Sequence, residues 1–88
     1  MSTTYATLPV ETVQHFLDNI GSEVFTVIFL KKDGSQRLLT GSIEPKDKRS
    51  VAVPVMDLES GMWKSFRVDS VLSISNGTPV RVRSITND

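Results

Sequence analysis

The sequence predicts a mainly β domain with one N-terminal α-helix, its strands bent into a small five-stranded barrel. Three observations predict it. Apolar residues recur at helical spacing in residues 9–20 alone. From Glu23 onward the apolar runs are short and rich in β-branched and aromatic residues, as strands prefer. Glycine, proline, aspartate and asparagine punctuate those runs at the short intervals that tight turns need. Closure into a barrel hides strand edges that would otherwise aggregate. An open antiparallel sheet packed on the helix is the alternative.

Residues 1–8 are small and polar around one aromatic, Tyr5, and read as a flexible lead-in; residues 9–88 read as a single domain. Pro9 suits a first helical turn, with Thr7 as the expected N-cap and Glu11 at the positive end of the dipole. Val10, Val13, Phe16, Leu17 and Ile20 make one apolar stripe, and Gly21 is placed to end the helix in a left-handed conformation. The stripe has to be buried, against its own barrel or against a neighbouring copy.

The barrel is expected over residues 22–86. In its first strand Phe25, Val27 and Phe29 share one face, and Val24, Ile28 and Leu30 the other, so both faces are expected to be covered. Asp33-Gly34 is a hairpin signal. Residues 36–43 return, and Gly41 implies a bend or bulge. After the charged loop 44–50, residues 51–56 resume strand character, with Pro54 pointing to an edge or a bulge. A turn at 57–61 leads to residues 62–68, where Met62, Lys64, Phe66 and Val68 alternate with Trp63, Ser65 and Arg67. Asp69-Ser70 breaks the pattern before a short strand, or a helical turn plus strand, at 71–74. A turn at 76–79 precedes residues 80–85, where apolar side chains alternate with Arg81 and Arg83. The expected core is Val27, Phe29, Leu39, Val53, Phe66, Val68 and Leu72. This pattern of one helix and turn-linked short strands fits an Sm-like or SH3-like barrel.

Composition narrows the function. The 88 residues hold 10 Lys+Arg against 10 Asp+Glu, so no global field draws the protein to phosphate. There is no cysteine and one histidine, which removes disulfides, thiol nucleophiles and multi-histidine metal sites. His15 flanks the helical stripe as a boundary residue. The glycines form no phosphate loop and the carboxylates no calcium loop. No enzyme, cofactor or metal is expected. The apolar stretch 27–30 is far too short to span a bilayer, and the N-terminus lacks signal-peptide character, so no membrane role is expected.

Two stretches carry a family resemblance. Residues 27–39 read VIFLKKDGSQRLL, and residues 63–74 read WKSFRVDSVLSI. The second resembles the Phe-Arg-Leu-Asp-Arg-Ile stretch that closes the Sm-like core of WYL domains, and the first resembles that core's opening hairpin. Together they look most like the small WYL-related Sm-like proteins encoded by tailed bacteriophages. The Trp-Tyr-Leu tripeptide that names the family is absent, and Val53-Pro54-Val55 occupies about that region. The resemblance implies a bacterial host cytoplasm, a regulatory role and a nucleic-acid or nucleotide ligand, with the family's motif arginine at Arg67.

The candidate ligand-binding residues are Lys31, Lys32 and Arg37 around the hairpin tip, Arg67, and Arg81 with Arg83. Lys46, Lys48 and Arg49 would extend this basic surface if the two loops share one end of the barrel. Against that stands a structural role for each: Arg67 paired to Asp69, the lysines as a solvated tip, Arg81 and Arg83 as edge charges. The alternative function is a module that binds a host protein through Trp63, Phe16 and Val13. Homo-oligomerisation is expected with either.

Overall fold

The computed structural model describes residues 6–78. Helix α1 covers Val10–Ile20 and five strands follow: β1 Phe25–Leu30, β2 Gln36–Ser42, β3 Ala52–Asp57, β4 Trp63–Arg67 and β5 Val71–Asn76. They form one antiparallel sheet in the order β4-β3-β2-β1-β5. Short 3-10 turns occur at Pro45–Asp47 and Val68–Ser70. The strand expected at 80–85, with Arg81 and Arg83, lies outside the described residues.

The chain order forces this sheet to curl. β4 and β5 are its two outer strands, yet only Val68–Ser70 connects them. Four peptide steps reach at most ~14 Å. The outer strands of a flat five-stranded sheet would stand ~19 Å apart. The aromatic core records the curl directly: Phe66 of β4 lies 6.4 Å from Phe25 and 6.0 Å from Phe29, both on β1, ring centre to ring centre. Offset and edge-on pairs at this range add to plain burial.

Helix α1 closes one side of this core. Val13, Leu17 and Ile20 are buried in it, Val10 and Phe16 pack against it, and Phe16 stands edge-on to Phe25 at 5.9 Å. The stripe is thus buried within its own chain. Thr7 is exposed and is not the cap; Pro9 holds that position, and its carbonyl accepts the Thr12 and Val13 N–H groups. Gly21 has φ +64° as a helix stop needs, but ψ −129° places it outside the left-handed helical well. The lead-in is tied down by its end: the Leu8 N–H donates to the Val71 carbonyl at 2.7 Å, and Leu8 packs on the core.

Along β1 the face of Phe25, Val27 and Phe29 is buried as expected, but Ile28 and Leu30 on the other face are only half-covered. One expected core residue is displaced. The ladder of β1 with β5 pairs Ile28 with Ser73 and then Phe29 with Val71, so Leu72 falls in the irregularity between them. Val71 takes the fully buried place and Leu72 is half-exposed, because the preceding 3-10 turn resets the inward phase.

Gly41 is the hinge of the sheet. It pairs with Phe25 on one side and with Asp57 on the other. A Cβ there would collide with the Met56 carbonyl, and would lie 2.8 Å from Val55 Cγ1. β2 pairs with β3 only at Gly41 and Ser42. The β3 strand is therefore interior in the order, yet at Pro54 its ladder with β2 has not begun and a missing N–H costs nothing there.

Candidate functional site

The β1–β2 hairpin sets the site. Gly34 N–H donates to the Lys31 carbonyl at 2.9 Å and Lys31 N–H to the Ser35 carbonyl at 2.8 Å, with Gly34 at φ +88°. The Asp33 carboxylate accepts the Ser35 hydroxyl at 2.6 Å and its N–H at 3.0 Å, and these bonds hold its pKa below the ordinary value. Asp33 is thereby folded onto its own loop, and the exposed Lys31, Lys32 and Arg37 make no ion pair among the described residues.

β4 faces this hairpin across a groove of about 300 Å³. Phe29, Leu30, Leu39 and Phe66 supply apolar walls; Lys31, Lys32, Arg37, Lys64 and Arg67 surround them, with Ser65 and Ser70. Among the described residues no carboxylate lines it. The structure thus brings together Lys31, Lys32, Arg37 and Arg67 from the sequence-derived set. It adds Lys64, which the alternation along β4 had placed on the inward face beside Phe66.

The five cations are not equivalent. Arg67 donates from Nε to Asp69 Oδ1 at 3.0 Å and from Nη2 to Oδ2 at 2.9 Å, a two-point fork that lowers the Asp69 pKa. The Ser70 hydroxyl donates to the Arg67 carbonyl at 2.8 Å, so Arg67 also fixes the turn into β5. Lys64 Nζ stands 3.5 Å from Asp57 Oδ2. Asp57 is buried beneath the β3–β4 turn and accepts the Ser60 hydroxyl at 2.9 Å and the Glu59 N–H at 3.3 Å. Its pKa is lowered first by Ser60, then by Glu59 and Lys64, against the effect of burial.

The wider basic surface is not assembled. Arg49 and Lys48 reach Asp18 of the helix at 2.7 and 3.8 Å, and Lys46 lies beside Trp63 with Glu44, Asp47 and Pro54. The loop that carries them does not line the groove.

Of the expected protein-contact residues, Trp63 is 50 % exposed on the outer face of β4, opposite Met56. Phe16 is half-buried on the helix, while Val13 is wholly inside the core and offers no surface to a partner. His15 is exposed, with the Asn19 side chain 3.4 Å from its Nε2. Among the described residues no cluster of histidine or carboxylate side chains could hold a metal, and no helix is long and apolar enough to cross a membrane.

No protein-family model, curated protein or solved structure matches this chain.

Proposed function

We propose that this is a small non-enzymatic binding protein whose curled sheet is an Sm-like or SH3-like barrel and whose basic groove takes nucleic acid or a nucleotide. One observation carries the reading. In a chain with equal numbers of acidic and basic residues, five cations converge on one apolar groove that, among the described residues, no carboxylate lines. Its volume of about 300 Å³ is at the lower end of the ligand-pocket range. The resemblance of residues 27–39 and 63–74 to the WYL-related phage proteins supports the same ligand and a regulatory role in a bacterial host.

Titration with single-stranded and double-stranded oligonucleotides and with nucleotides at low salt tests this. Binding is expected to weaken as salt rises, since each neutralised phosphate releases counterions. No binding to any of them at about 0.1 mM protein, where nonspecific contacts normally register, overturns it.

The second reading is a module that binds a host protein. Trp63, half-exposed, is flanked by two shallow depressions, one bounded by Pro54 and Asp47, the other by Pro45 and Met56. Here Trp63→Ala is expected to abolish capture of the partner with little salt dependence. Self-association through the outer strands β4 and β5 accompanies either reading, and light scattering of the purified chain tests it.

A further inference from the structure

Resting on the nucleotide reading of the groove, we propose that its ligand is a single nucleoside polyphosphate, not a nucleic-acid strand. The distribution of free charge carries this. A strand-binding surface tracks a backbone with cations spaced along a path. Here Lys48 and Arg49 are held by Asp18, Lys64 stands beside Asp57, and Arg67 is forked onto Asp69. Among the described residues, what stays without an ion pair at the groove is one compact group, Lys31, Lys32 and Arg37, all on the same hairpin. Three cations around one point match a chain of phosphates on one molecule.

The rest of the groove suits a base. Leu30, only half-covered, gives it apolar contact above the buried Leu39, Phe29 and Phe66. Those two rings are too buried to act as open stacking platforms for successive bases. The Ser65 hydroxyl, which also lines the groove, can meet a donor or acceptor of a base.

The test is calorimetric titration of the full chain with ATP and GTP, adenosine, inorganic triphosphate, and oligothymidylates of increasing length. A nucleoside triphosphate is expected to saturate at one per chain. Adenosine and inorganic triphosphate, each engaging half of the groove, should bind at least ~10-fold more weakly. The salt slope should not exceed about three released ions. Each of Lys31→Gln, Lys32→Gln and Arg37→Gln should weaken ATP by roughly 10-fold, while Lys46→Gln leaves it unchanged. Equal loss on Lys46→Gln would mean a diffuse field and overturns the inference, as does inorganic triphosphate binding as well as ATP. Affinity per chain that climbs with oligothymidylate length overturns it too, while leaving the nucleic-acid reading intact. Silence from every probe overturns both.

Discussion

The β1–β2 and β3–β4 hairpins are built from similar parts and put them to opposite uses. Each has an aspartate, a serine and a positive-φ glycine at its turn: Asp33, Ser35 and Gly34 in one, Asp57, Ser60 and Gly61 in the other. In the first the aspartate is exposed and closes a loop on itself, and the neighbouring lysines make no ion pair among the described residues. In the second it is buried and gathers a hydroxyl, a backbone N–H and Lys64. The difference is one of phase: Asp57 is the last residue of β3 with its side chain inward, whereas Asp33 lies beyond the end of its strand. The same chemistry thus yields an exposed tip that leaves its cations without ion pairs among the described residues and a buried corner that takes one into its own ion pair.

If β3–β4 is the structural hairpin, its aromatic anchor should be costly to lose. Phe66 is 2 % exposed and touches both Phe25 and Phe29. Phe66→Ala is expected to lower unfolding stability by about 3–5 kcal/mol in urea melts. A loss below about 1 kcal/mol would mean that the sheet does not curl onto β4.

Gly41 joins the two hairpins and sharpens the comparison next. Adding a methyl group forces the backbones of β2 and β3 apart, because the colliding atom is a carbonyl and not a mobile side-chain end. Gly41→Ala should cost about 1–3 kcal/mol or more. Gly34→Ala lies in open space, and only its φ of +88° opposes the change, so about 1–2 kcal/mol is expected. Reversal of that order would place the structural corner at the tip.

Much of this comparison was legible in the sequence, and its gaps have physical reasons. Alternation along residues 62–68 placed Phe66 inward, and the Asp-Gly signal placed the first hairpin, because both depend on neighbours in the chain; whether Trp63 caps the barrel or faces out was open in the sequence, and the structure leaves it half-exposed. The union of Lys31, Lys32, Arg37 and Arg67 was foreseen as a list but not as a groove, since it depends on how far the sheet curls. Capture of Lys48 and Arg49 by Asp18 was missed: the partner lies some thirty positions away, at |i−j| = 31 for Arg49, and no local pattern records it. Leu72 was misplaced because a three-residue turn shifts the phase of β5 without leaving a period in the sequence.

Acid should separate the two aspartates. Both have folded-state pKa values below the ordinary 3.8, so each binds fewer protons when folded. Their contributions are fully present above the unfolded-state pKa and fade as pH falls through the lower folded-state value. Asp57→Asn should therefore remove part of the stability gain between acid and neutral pH, and Asp33→Asn a smaller part, because the Asp33 turn is solvent-exposed. Urea midpoints compared at about pH 2.5 and pH 7 read this out. Equal effects from the two variants would erase the distinction between corner and tip.

The smallest stability effect is the most informative about function. Lys31, Lys32 and Arg37 are exposed and make no ion pair among the described residues, so changing all three to glutamine breaks no ion pair there and removes only the weak attraction of Lys31 for the exposed Asp33. The triple variant should unfold within about 0.5 kcal/mol of the parent, as surface changes usually do. Removing three like charges that crowd one hairpin should even tilt the result toward slight stabilisation, most visibly at low salt. The matching measurement is thermal melting with and without a nucleoside triphosphate: the parent should be stabilised by ligand and the triple variant should not. If the triple variant is markedly less stable without ligand, the lysines are part of the fold, and the division between structural and functional hairpins fails.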